Sequence, residues 1–139
     1  MKIHSETISV NTRTRVELVD ITDRVRNTVS ASGVRKGVIH IYSLHTTMGV
    51  YLNENEPNLR NDILEFMDKL APKGAGYHHD TVDANANTFS HLRALLLSNS
   101  LTIPVEDGKP LLGTWQSIFA AEFDGPRTRR LLIQVIGEQ

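Results

Sequence analysis

The sequence predicts an α+β fold in which helices flank an antiparallel or mixed sheet. Three observations carry this. Gly37 to His45 is a short apolar run of strand length, rich in β-branched residues. Leu59, Ile63, Phe66, Met67 and Leu70 recur at helical spacing on one face. The period of the apolar residues changes along the chain to give the order ββαββααβββ. No linker, low-complexity segment or internal repeat interrupts it, and 139 residues suit one domain, 1–139, with a usable core.

In chain order, Ile3 to Val10 alternates as a strand, and Arg15 to Val19 follows as its hairpin partner after the polar Asn11-Thr12. Ile21, Val25 and Val29 lie four apart, which predicts a short helix with Thr22 available as a cap and Gly33 as its stop. Gly37 to His45 reads as a buried strand, with Val38, Ile39, Ile41, Tyr42 and Leu44 inside. Met48 to Leu52 is the next strand. Pro57 suits the first position of the helix that ends before Pro72. Phe89, Leu92, Leu95 and Leu96 mark the apolar face of another helix. Leu101 to Val105, with Pro104 fitting an edge or end, Gly113 to Glu122, and Arg130 to Ile136 are the closing strands.

Composition narrows the chemistry. Apolar residues make up 40% and charged residues 22%, as in ordinary globular chains. A formal charge of −1 gives no global reason to bind nucleic acid or an anionic membrane. There is no cysteine, so any metal must be held by nitrogen and oxygen donors, which points to Zn, Mg or Mn. The first residues lack the apolar core of a signal peptide and no run is long enough to span a bilayer, so a cytoplasmic protein is expected.

The densest reactive stretch runs from Gly76 to Leu97 and holds His78, His79, Asp80, Asp83 and His91. Neighbouring residues of an extended segment point to opposite sides, so at most one of His78 and His79 faces a given pocket. Asp80 is placed to orient a ligand ring. His91 falls on the flank of its helix, where a side chain looks either into a cleft or into solvent. Ser90 beside it can bond a ligand or satisfy the helix start. His45 ends the buried strand, next to Thr46-Thr47, as either a metal ligand or a ring bonded to backbone. Asn53-Glu54 and Asp62 form a second polar set. Glu54 is a candidate general base, and the alternative for both carboxylates is a solvated rim. Trp115 can stack on a flat ring or fill core, and Arg127, Arg129 and Arg130 can grip phosphate or sit at a solvated strand end.

In this order, His45-Thr46-Thr47, Asn53-Glu54, Asn61-Asp62, Tyr77-x-His79-Asp80, Ser90-His91-Leu92, Gly113-Thr114-Trp115-Gln116, Glu122 and Arg129 resemble the YjbQ-like family over essentially the whole chain. The resemblance implies a two-sheet antiparallel or mixed β sandwich with flanking helices, assembled as a homotrimer. It implies a polar pocket with a divalent metal held by His45, His79 and His91, His78 being a variable position. Asp80, Asn53, Glu54, Asp62, Trp115, Gln116, Glu122 and Arg129 would support that pocket. It also implies weak thiamine-phosphate synthase activity, joining hydroxymethylpyrimidine diphosphate to a thiazole phosphate with release of pyrophosphate. In that scheme Glu54, Asp62 and Arg129 are catalytic, and Asn53, Trp115, Gln116, Thr46 and Ser90 bind the phosphorylated small-molecule substrate. Two other readings stand beside it: a metal-dependent phosphoester hydrolase, and a trimeric module that binds a metal or metabolite without turnover.

Overall fold

The computed structural model describes residues 1–139. Its strands are β1 (Lys2–Asn11), β2 (Glu17–Asp20), β3 (Lys36–Ser43), β4 (Met48–Asn53), β5 (Ser100–Glu106), β6 (Lys109–Pro110), β7 (Ser117–Glu122) and β8 (Thr128–Glu138). Its helices are α1 (Thr22–Ser32), α2 (Pro57–Leu70) and α3 (Thr88–Leu97), with one 3-10 turn at His78–Thr81. The expected α+β order holds, with β6 as a short addition.

All pairing is antiparallel. Five strands form one sheet in the order β1-β8-β3-β5-β6, and three form a second in the order β2-β7-β4. The main core lies between the sheets. Val10, Ile39, Ile41, Ile133 and Val135 come from the larger sheet, Met48, Val50, Ile118 and Ala120 from the smaller, Val25 and Val29 from α1, and Ile21 from the residue just before it. Alternation along β4 and β7 sends Tyr51, Phe119 and Ala121 to the opposite face, where they pack with Phe123 and Ala94 of α3. The fold is thus a two-sheet sandwich whose smaller sheet carries α3 on its outer face.

Four local expectations change. β2 does not pair with β1 but with β7 in the other sheet. The chain crosses over at the buried Thr12, whose backbone N–H donates to the Arg127 carbonyl at 2.9 Å. β3 is not buried on both faces. Ile39, Ile41 and Ser43 point inward while Val38, Tyr42 and Leu44 stay exposed, because no helix covers the outer side of that sheet. Thr22 is the first helical residue rather than the cap; the Asp20 carboxylate accepts from its N–H at 2.9 Å and from its hydroxyl. The expected αL stop at Gly33 is present, with φ of 73°.

The fourth change decides how the site is built. The buried face of α3 is Phe89, Ser90, Arg93 and Ala94, not the leucine stripe. Arg93 makes this possible. Its Nε donates to the Ala71 carbonyl at 3.0 Å, its Nη2 meets Asp68, and its guanidinium lies 4.7 Å from the centre of the Phe89 ring. A satisfied cation therefore occupies a place that apolar periodicity assigns to leucine. Leu95 and Leu96 are left facing outward, Leu95 with 78% of its surface exposed.

Candidate functional site

Gly49 lets α3 sit low on β4. A Cβ there would come within 3.0 Å of Leu97 Cβ and 3.1 Å of the Ser98 carbonyl oxygen. The close approach brings the His91 side of α3 to the loop that leaves β3. Between them opens a cleft of about 620 Å³ lined by His45, Thr46, Met48, His91, Leu92, Ala94, Leu95, Leu96, Ser98 and Asn99. Two imidazoles at the rim of a mainly apolar hollow suit a small molecule with one flat or apolar part and one polar part.

His45 owes its place to unequal strand lengths. β3 ends opposite Leu131, so the next N–H of β8 that faces it, that of Arg130, loses its ladder partner. His45 Nε2 accepts that N–H at 2.8 Å. An accepting Nε2 puts the ring proton on Nδ1, so neither nitrogen of this tautomer offers a lone pair to a metal. Sequence reasoning left open a ligand or a backbone-bonded ring, and the second is what the chain builds. Burial first, and then the neighbouring Arg129 guanidinium, hold the His45 ring below its ordinary value of 6.5. The unfolded chain then takes up a proton more readily than the fold. His45 therefore adds stability as pH rises towards about 6.5, and the contribution is lost as pH falls towards its lowered value. In His45→Gln this rise below the ordinary value of 6.5 is expected to flatten, as read by denaturant midpoints at neutral and at mildly acidic pH.

Behind His45 lies a fully enclosed ion pair. Glu122 accepts from Arg129 Nε at 2.8 Å and Nη2 at 2.5 Å, from the Thr12 hydroxyl at 2.7 Å, and from the Phe123 and Asp124 amides, both at 3.1 Å. Arg129 Nη2 also donates to the Thr47 hydroxyl at 2.7 Å. Burial alone would raise the Glu122 carboxyl, but the bonds from Arg129, Thr12 and the Asp124 amide outweigh it and hold it below its ordinary value. Arg129 is therefore not the open phosphate grip expected from sequence. It braces the wall behind His45.

His79 stands in the 3-10 turn, and its ring meets that of His91 edge to face, with centres 5.0 Å apart. His79 Nε2 lies 3.2 Å from Oδ1 of the buried Asn87. Asn87 Nδ2 donates to Asp124 Oδ2 at 3.0 Å. Asp124 is buried between Arg15 and Arg127, whose nitrogens stand at 3.1 and 3.2 Å. Asp80 has a structural task. Its Oδ1 accepts from the N–H of Thr88 at 3.1 Å and from the Thr88 hydroxyl at 2.7 Å, capping α3 and fixing the turn that carries His79. Ser90 is fully buried and donates to the Phe123 carbonyl, so it does not reach the cleft.

The second polar set lies elsewhere. β4 runs from Met48, opposite Glu122, to Asn53, opposite Ser117. Six residues of strand, about 17–20 Å, thus separate the histidine end from Asn53 and Glu54. Asn53 Oδ1 accepts the Glu54 N–H at 2.8 Å. Asp62 points outward from α2. Residues 113–116 are a turn rather than the start of β7, closed by the Gly113 N–H donating to Gln116 Oε1 at 2.8 Å. Trp115 rides on that turn, 72% exposed, and is not core. One chain therefore groups His45, Thr46, His79, His91, Glu122 and Arg129 at one end of the smaller sheet, and Asn53, Glu54, Trp115 and Gln116 at the other. No three His, Asp or Glu side chains converge in ligand geometry, and of the three histidines singled out in the sequence only His79 and His91 have their rings in contact.

These features define an α+β protein with a histidine-rimmed cleft between helix α3 and the end of a two-sheet sandwich. The chain belongs to the YjbQ-like family: the family described as "UPF0047 protein YjbQ-like" matches residues 6–138. A UPF0047 protein of Archaeoglobus fulgidus is 50% identical over 129 residues, covering 93% of this chain and 98% of the relative. A UPF0047 protein of Methanothermobacter thermautotrophicus is 44% identical over 138 residues, covering 99% and 95%. The crystal structure of a YbjQ-like protein of unknown function from Sulfolobus solfataricus P2 superposes with a TM-score of 0.94 at 38% identity, covering 99% of both chains. No helix is long and apolar enough to cross a membrane.

Proposed function

We propose that the chain is a small-molecule enzyme in which His79 and His91 hold a divalent cation beside the cleft. One observation carries this reading. Two imidazoles on one tetrahedral ion, with metal–nitrogen bonds of about 2.0–2.1 Å, have ring centres about 5 Å apart, and those of His79 and His91 are 5.0 Å apart. A donor set of two nitrogens without thiolate suits Zn, Mg or Mn less equally than sequence composition suggests, since imidazole favours zinc. When bound, the cation would neutralise phosphate charge on a substrate. The chain's own residues do the rest. Leu92, Leu95 and Leu96 receive the apolar part of the substrate, Thr46 and Asn99 offer polar contacts, and His45 presents its Nδ1–H beside them.

Among activities, transfer with loss of diphosphate is favoured over hydrolysis. The carboxylates around the histidines, Glu122, Asp80 and Asp124, are already engaged by donors, and Glu54 and Asp62 are remote, so no free carboxylate base is at hand within one chain. Departure of a diphosphate needs charge neutralisation more than a base. The joining of hydroxymethylpyrimidine diphosphate to a thiazole phosphate is the specific form of this reading. A homotrimer belongs to the same proposal. Phe66, Leu70, Leu95 and Trp115 are exposed apolar surface, and Glu54, Trp115 and Gln116 can join the histidines only from a second copy.

The test is a zinc titration of purified protein, paired with an assay for thiamine phosphate and with light scattering for mass. His79→Ala and His91→Ala are each expected to weaken zinc binding more than tenfold. Unchanged zinc affinity in both variants overturns the cation pair. Release of phosphate from single esters, with no second substrate, would favour hydrolysis instead.

A further inference from the structure

We propose that Asn87 and Asp124 are positioning residues that fix the tautomer of His79, so that it offers Nδ1, not Nε2, to a cation. This deepens the reading of His79 and His91 as a metal pair and rests on it for its consequence, though not for the tautomer itself.

The chain of contacts starts at Asp124. Its carboxylate is buried beside two guanidinium groups, with Arg15 Nε 3.1 Å from Oδ1 and Arg127 Nη2 3.2 Å from Oδ2. Its backbone N–H is tied to Glu122 at 3.1 Å, and its carbonyl accepts from Arg127 Nε at 2.8 Å. An ionised carboxylate only accepts hydrogen bonds. The Asn87 group 3.0 Å from Asp124 Oδ2 must therefore be its NH₂, which places the amide oxygen 3.2 Å from His79 Nε2. An amide oxygen also only accepts, so Nε2 must carry the proton. In the neutral ring the lone pair then lies on Nδ1.

Asn87 is 7% exposed and Asp124 4%, so water does not compete freely for these bonds. A carboxylate two side chains away thus sets which histidine nitrogen is free, as hydrogen-bonded partners behind metal ligands commonly do. Neither residue carries a recognisable signal in the sequence. Asn87 falls in a polar loop and Asp124 in a Gly-Pro turn, 37 residues apart.

The experiment uses metal-free, ¹⁵N-histidine-labelled protein at about pH 8, above the ordinary imidazole range. Long-range ¹H–¹⁵N spectra report the tautomer of each ring. The wild type is expected to hold His79 as a single Nε2–H tautomer. In Asp124→Leu, the acceptor that orients Asn87 is gone, its amide turns either way, and His79 is expected to show both tautomers. Zinc affinity should fall with it, by up to about tenfold. Should Asp124→Leu fail to fold, Asn87→Leu decides: it removes the acceptor of the Nε2 proton, and His79 is again expected to show both tautomers.

A wild-type His79 in the Nδ1–H form, or an Asn87→Leu protein that keeps one tautomer, overturns the proposal. If the tautomers behave as expected but zinc binds neither protein, the positioning role stands and the cation reading falls.

Discussion

Arg129→Met is expected to destabilise the protein by about 3–5 kcal/mol, the usual cost of leaving one partner of a buried ion pair alone. Glu122 would keep its Thr12 hydroxyl and two backbone amides but lose both guanidinium bonds, at a place with no access to water. Denaturation in urea should show this as a lower midpoint at unchanged slope. The double variant Arg129→Met/Glu122→Leu should recover much of the loss, since exchanging a whole buried pair for apolar side chains is often neutral. The sign of the pH effect follows from the lowered Glu122 carboxyl. Its contribution is fully present above the ordinary value of 4.5 and is lost as pH falls through its depressed value in the fold. Acid unfolding of the wild type should accordingly be steeper than that of the double variant. Equal stability of Arg129→Met and wild type at neutral pH would show that the pair does not brace the wall behind His45.

That ion pair also shows where sequence reading reached and where it stopped. The sequence singles out Glu122 and Arg129, but their pairing is not legible there, because only the packing of one sheet on the other sets β7 and β8 face to face inside the sandwich. Strands and helices were legible because their signals are local: alternation in β1, helical spacing in α2, Pro57 at a first turn, Gly33 at a stop. Errors arose where a distant partner overrode a local preference. β2 reads as the mate of β1 until Thr12 carries the chain across to the other sheet. The leucines of α3 read as its buried face until Phe89 and Ala71 are seen to satisfy Arg93. Of the three histidines, His79 and His91 do meet, and His45 shares the cleft with His91 but spends its lone pair on backbone.

The dependence of the cleft on one small residue leads to the other large expected effect. Gly49→Val should cost about 2–3 kcal/mol, in the upper part of the range for overpacking a well-filled contact. Gly49 has no unusual backbone angle to defend, so the effect comes from space alone. A Cβ would already press on Leu97 Cβ at 3.0 Å, the Ser98 carbonyl at 3.1 Å and the Ala94 carbonyl at 3.4 Å. Two of these are backbone groups at the C-terminal end of α3 and cannot rotate away, so the helix itself must lift. His91 and the cleft-lining leucines ride on the same helix. His79 is tied to it only at its start, through Asn87 and the Asp80–Thr88 contact, and Asn87 is anchored in turn to the buried Asp124. Lifting the C-terminal end of α3 about that anchored start should therefore shift His91 against His79 as well as loosen the fold. Zinc affinity should fall further than in Gly49→Ala, whose smaller side chain asks for shifts of only a few tenths of an ångström. A Gly49→Val protein that is less stable yet binds zinc as the wild type does would show that the position of α3 on β4 does not set the distance between His79 and His91.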